Sequence, residues 1–404
     1  MPLTIKETAE VTGQLTSAIS TILPDIVSVR HHLHQNPELS HLEEKTSAFV
    51  AARLAALGLD EVKTGVGGYG VVGVLSGTGT PQDAGSATKT IALRADMDAL
   101  PIQETREVPY KSCVPGVMHA CGHDGHTSTL LGAATVLSQI RSKFAGEVRF
   151  LFQPAEETVG GAKRMCEEGV MEGVDAIVAL HGWPGLEVGK IGVRSGPMMA
   201  SSDTFDLIIR GKGCHAAQPH IGIDPILVGA HIVTALQSIA SREMSPTDSV
   251  VVTVAQFHAG TANNIIPDQA EIRGTIRCLK EAQRTEIPER LERIIAGVCA
   301  AFRAEYSFKF RRGTPVTVND VAINDLVAGV GAEILGQENV IHLEAPSMGA
   351  EDFAIYLQRA PGAMFRLGVG TEMTALHTPT YNFADDALPV GMEIFVRSVL
   401  QYLG

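Results

Sequence analysis

The chain has 404 residues, with 32 Lys and Arg against 45 Asp and Glu, a formal net charge of −13. That acidic surplus argues against nucleic acid and against anionic membrane surfaces, since both demand a basic face. With 45% hydrophobic and 19% charged residues the composition excludes a disordered or fibrous chain, and the length suggests two or three domains at roughly 100–200 residues each. In chain order, residues 25–35 and 42–57 read as helices, the first stopping before Pro37 and the second at Gly58. Short apolar runs follow at Val71–Leu75, Ile91–Ala95, Val148–Phe152 and Ala176–Leu180, separated by helical stretches at Thr127–Ile140 and Ala162–Gly169. Continuous apolar strands alternating with helices predict an α/β fold with a mostly parallel sheet covered by helices. Gly77–Thr88, rich in Gly, Thr and Ser, reads as a surface loop.

The texture changes near residue 197. Phe205–Arg210, Val250–Phe257, Ala270–Leu279 and Tyr306–Phe310 read as strands, Ile226–Ser241 and Glu281–Arg303 as helices. Strand, helix, strand, strand, helix, strand is the βαββαβ, ferredoxin-like α+β layout. Residues 197–313 are therefore expected to form an inserted domain, and 1–196 with 314–404 the larger catalytic one, closing with Val321–Leu335, Ala363–Leu367 and Leu388–Leu403. Six cysteines, none in a CxxC pair, suit a reducing compartment better than a disulfide scaffold. The N-terminus lacks the basic start and unbroken apolar core of a signal peptide, and no segment has ~20 consecutive apolar residues. The sequence therefore reads as cytoplasmic.

Potential metal ligands follow the predicted strands. Asp96 and Asp98, Glu156 and Glu157, and His181 each come after one, and Met118–His126 packs His119, Cys121, His123 and His126 into the start of a helix. In an open parallel sheet the carboxyl ends of the strands face one crevice, so residues distant in sequence converge. Cys121 and His123 suit zinc or another first-row metal better than magnesium or calcium; a buried Cys beside a helix-capping His is the competing reading. Of Glu156 and Glu157, one could ligate while the other handles a proton, or both could simply favour a helix N-terminus. His181 and His377 mean little alone, and Asp96 or Asp98 could orient a ligating imidazole. The inserted region offers His215 in a Gly-rich turn, Asn264, and Arg277 at a strand end, all plausible substrate contacts or plain turn formers.

Taken together, Arg30–Ser40, Arg94–Asp98, Met118–His126, Gln153–Glu157, Gly213–Pro219, Asn264–Asp268, Met348–Phe353 and His377–Pro379 resemble the dinuclear-metal aminoacylase/carboxypeptidase family. The branch is that of hippurate hydrolases, N-acyl-amino-acid amidohydrolases and auxin-conjugate hydrolases. The resemblance implies two divalent ions (Zn, Mn, Co or Ni) on Cys121, His123, Glu157, His181 and His377, with Glu156 as the base. It also implies that His215 reaches the scissile carbonyl, across a dimer interface in relatives that dimerise through the small domain, with Asn264 and Arg277 helping with the substrate carboxylate or oxyanion. His31 and His34 match the amino-terminal motif and read as structural. The expected reaction is hydrolysis of an N-acyl amino acid to a carboxylic acid and an amino acid, by a homodimer or homotetramer. Dipeptidase or carboxypeptidase action by the same chemistry, a non-catalytic binding protein and a Cys121 nucleophile are the rivals.

Overall fold

The computed structural model describes residues 5–80, 88–158, 160–372 and 375–404; most of the loop expected over Gly77–Thr88 lies outside them. The chain divides into two compact units, one made of Met1–Gly196, Val318–Ala345 and Asp352–Gly404, the other of Pro197–Thr317 with Pro346–Glu351.

The larger unit is built on an eight-stranded sheet. Its centre is parallel: Glu147–Gln153, Thr90–Asp96, Ala176–Trp183 and Gly362–Gly368 lie side by side. Antiparallel pairing appears toward the flanks, where Gly70–Ser76 pairs with both Glu147–Gln153 and Glu61–Val66, and Ile191–Val193 runs against Gly362–Gly368. The central strands are buried along nearly their whole length, which is why they read as unbroken apolar runs. Glu61–Val66 escaped the sequence reading because it is an exposed edge strand with little apolar signal.

On one face the core gathers Ile91, Leu93, Val178, Leu180, Phe365 and Leu367 against helices Ile5–Gln35, His123–Gln139 and Leu388–Leu403. The first helix begins at Ile5 rather than at residue 25 and continues through Pro24. A proline inside a helix costs ~3 kcal/mol; burial of Leu15, Ile19, Ile26, Val29 and Leu33 on this core offsets it, at ~1.5–3 kcal/mol per side chain.

The smaller unit is an antiparallel four-stranded sheet in the order Val250–Ala259, Gln269–Cys278, Ser202–Arg210, Glu305–Thr314. Helices Pro225–Ser238 and Glu281–Phe302 pack on it through Val228, Ile232, Leu236, Ile287, Leu291 and Ile295. The first of these helices ends in a π-helical turn at Ile239–Glu243. Second, third, first and fourth strand across the sheet is the split βαβ arrangement expected of βαββαβ order.

Candidate metal centre

The helix expected over Thr127–Ile140 begins four residues earlier, so that His123 is the first residue of His123–Gln139. Gly122 caps that helix at φ 92°, and a Cβ there would stand 2.6 Å from the Tyr381 hydroxyl oxygen, so only glycine allows the turn that presents Cys121 and His123. His181 does not follow its strand. It lies within Ala176–Trp183, because pairing with Gly362–Gly368 continues as far as Trp183.

These turns bring six of the sequence candidates together. Ligand atoms of Cys121, His123 and His181 lie within 4.8 Å of one another, as do those of Cys121, Glu157 and His377, and those of His123, Glu156 and Glu157. Cys121 thus belongs to two overlapping triads. The tautomers suit metal binding: His123 Nδ1 donates to the Asp98 carbonyl at 2.8 Å and His181 Nδ1 to the Gly182 carbonyl at 2.9 Å, so each offers the lone pair of Nε2. His181 Nε2 is 3.5 Å from Cys121 Sγ. His123 Nε2 is buried with no hydrogen-bond partner, and Glu157 Oε1, also buried and accepting no hydrogen bond, faces His377 Nε2 at 3.2 Å. Borderline and soft donors left unsatisfied inside a protein fit divalent first-row ions.

The electrostatics agree. Burial pushes the Cys121 thiol well above its ordinary range, and Glu157 adds to the push. Burial and the neighbouring His126 hold His181 well below its usual value, hence neutral. Burial also opposes protonation of His123, yet Asp96 and Asp98 outweigh it and raise that imidazole. The same carboxylates favour any cation placed at Nε2.

Asp98 orients the cluster through three bonds. Its carbonyl fixes His123, and its Oδ2 accepts from Ser40 Oγ at 2.6 Å and from the Glu157 amide at 3.0 Å. His126 is a tie between strands, donating Nδ1–H to Asp96 and accepting the Gly182 amide at Nε2, both bonds within 2.8 Å. His34 joins the long first helix to this region, its Nδ1 2.9 Å from Asp124 and its Nε2 3.3 Å from Glu104, all buried. His31, partly exposed, contacts Asp385.

Glu43, missed in the sequence, sets the loop that carries the two glutamates. Its Oε1 accepts the Ala155 amide at 2.8 Å, and Ala155 is held at φ 51°, a left-handed conformation that a non-glycine residue keeps only under constraint. Glu43 is fully buried, and burial raises its carboxyl to about 7. A glutamate at a helix start gives no hint in sequence of a partner 112 positions away. The peptide amide of Asp352 donates to Glu156 Oε1 at 3.4 Å, and Asp352 is itself tied to Arg94 and Gln153.

In the smaller unit His215 sits on the two-residue strand Cys214–His215, opposite Ile265, rather than in a free turn. His215 and Asn264 line one cavity of about 750 Å³ with Gly260, Thr261 and Gln269. The Ala217 amide donates to His215 Nδ1 at 3.0 Å, which leaves Nε2–H as the outward donor. Arg277 is elsewhere. It faces Val251 near the other end of Gln269–Cys278, roughly 26 Å along the strand from Gln269 at ~3.3 Å per residue.

Residues 92–401 match the model of peptidase family M20/M25/M40. The chain belongs to that family. This M20 chain is 46% identical over 307 residues to an N-acyl-L-amino acid amidohydrolase of Geobacillus stearothermophilus, covering 76% of this chain and 81% of the relative. It is 41% identical to thermostable carboxypeptidase 2 of Saccharolobus solfataricus, over 94% and 95% of the two chains. Among solved structures, a dinuclear metal binding M20 peptidase of Bacillus subtilis superposes with a TM-score of 0.83 at 35% identity, over 95% and 99% of the chains. The M20 protein is therefore a hydrolase of the amidohydrolase kind, with candidate metal-binding residues in place. No helix among the described residues is long and apolar enough to cross a membrane.

Proposed function

We propose that the protein hydrolyses the amide bond of N-acyl amino acids, acetyl, benzoyl or similar, using two divalent ions of Zn, Mn, Co or Ni held by Cys121, His123, Glu157, His181 and His377. The overlap of two ligand triads at Cys121, with Glu156 beside His123 and Glu157, carries the reading. When bound, such ions polarise the carbonyl and make water acidic enough to attack near neutral pH. Glu156 takes the proton of the attacking water and passes it to the leaving nitrogen. His215 donates Nε2–H to the carbonyl oxygen as it gains charge, and Asn264 and Arg277 receive the substrate carboxylate or the oxyanion.

The placement of Arg277 near the far end of Gln269–Cys278, away from the cavity lined by His215, Asn264 and Gln269, supports a homodimer or homotetramer joined through the inserted unit, in which the two residues that meet one substrate come from different subunits. The same reading places the enzyme in the cytoplasm, consistent with six unpaired cysteines.

The test is a panel of N-acetyl and N-benzoyl amino acids and dipeptides, assayed with Mn²⁺, Co²⁺, Ni²⁺ and Zn²⁺ and after chelation. Cleavage of N-acyl amino acids that is lost on chelation is expected. Turnover of dipeptides alone would favour the carboxypeptidase reading, to which the Saccharolobus relative lends some weight, and chelator-insensitive turnover would point to Cys121 as a nucleophile.

A further inference from the structure

Among the described residues five arginines are buried: Arg30, Arg94, Arg284, Arg366 and Arg397. Four face carboxylates, Arg30 with Asp124 and Asp385, Arg94 with Asp96 and Asp352, Arg284 with Asp203 and Glu281, and Arg397 with Glu393. Arg366, 8% exposed, has none among the described residues, and its Nε has no hydrogen-bond partner. Burial, with no anion to oppose it, lowers this guanidinium to about 10. A buried charge left uncompensated is strongly destabilising, whereas a paired one is tolerated.

Its surroundings hold it in place. The guanidinium lies over the Trp183 ring, 3.6 Å from the centroid, and Arg366 stands beside His181 in the register of the central parallel strands. Trp183 in turn contacts His181 edge-on, with ring centroids 5.7 Å apart. The ring covers one face of the cation and leaves its N–H edge free, and that edge is the fork that takes a carboxylate by two parallel hydrogen bonds.

We propose that Arg366, stacked on Trp183 beside the proposed ligand His181, is a carboxylate-binding site. The assignment of that carboxylate to a substrate or product rests on the amidohydrolase reading, whereas the anion site itself stands on the unpaired cation alone. Two sources share the chemistry: the acid released from the acyl group and the carboxylate of the amino acid.

Trp183 is the only tryptophan, so intrinsic fluorescence reports this site directly. The purified enzyme is titrated with benzoate, with L-alanine, and with benzamide as the neutral counterpart of benzoate, in the wild type and in Arg366→Met and Arg366→Lys. A saturable change is expected with at least one carboxylate and not with benzamide. It should weaken on the order of tenfold or more in Arg366→Met, the scale of losing a charged hydrogen-bond pair, and be partly kept in Arg366→Lys. The carboxylate that saturates at the lower concentration names the source. An equal response in Arg366→Met, a response to benzamide, or none in the wild type would overturn the site. Melting temperature controls for folding: Arg366→Met removes an unpaired buried charge and should melt no lower than the wild type, and a lower melting point would also count against the proposal. These readouts are binding and stability, so they decide the anion site even if the protein fails to cleave any N-acyl amino acid.

Discussion

The two units keep their reactive groups in opposite settings. In the larger one Cys121, His123 and His181 are buried, and Asp98 and main-chain carbonyls fix the histidines before any ligand arrives. In the smaller one His215 and Asn264 are exposed, and a single amide bond sets the His215 tautomer. A metal site needs donors desolvated and aimed in advance, whereas a group that meets a developing oxyanion needs only an available proton. The buried set should therefore couple strongly to folding and metal content, and the exposed set hardly at all.

The strongest way to break that contrast is at Glu156. Glu156→Gln should lower kcat by ~10²–10⁴ with metal content unchanged by elemental analysis, while Cys121→Ala and His123→Ala should lose metal as well; equal metal loss in all three would erase the distinction between base and ligand. His215→Ala should cost ~10²–10³ in kcat, with KM, metal content and melting temperature little changed. A drop in melting temperature would mean that His215 is structural after all.

His34 tests the buried wiring through pH. Burial works against its charge, but Asp124 and Glu104 raise it from 6.5 to about 9. The stabilisation is thus fully present below pH ~6.5 and lost as pH rises through about 9, on the order of 2–3 kcal/mol. Melting curves across that window should flatten in His34→Gln. The smallest effect is expected at Glu43. Glu43→Ala leaves the Ala155 amide unpaired, at ~1–3 kcal/mol, and should lower kcat about tenfold with KM nearly unchanged. In an Ala155→Gly background the penalty should shrink, since glycine adopts positive φ without strain.

Much of this was legible in the sequence because burial writes itself as pattern. The four central strands were found since both their faces are covered, and the inserted unit since its order of elements is distinctive. The cluster around Cys121 was legible as short motifs at strand ends. What escaped depends on contacts across the fold. Nothing near Glu43 signals Ala155, nothing near Arg366 signals Trp183, and the edge strand Glu61–Val66 has too few apolar residues to stand out. The distance between Arg277 and His215 was equally invisible, because it arises from strand register.

The place of Gly362–Gly368 in the large sheet has a consequence for biosynthesis. This strand lies between Ala176–Trp183 and Ile191–Val193, made about 170 residues before it on the ribosome. The earlier strands must leave a gap with two unpaired edges until it emerges, and such edges are where nascent chains aggregate. The four strands of the smaller unit come from one uninterrupted stretch and can close during translation. The sheet that carries His181 cannot be completed until nearly the whole chain has been made, so the proposed metal centre should be among the last parts of the protein to mature.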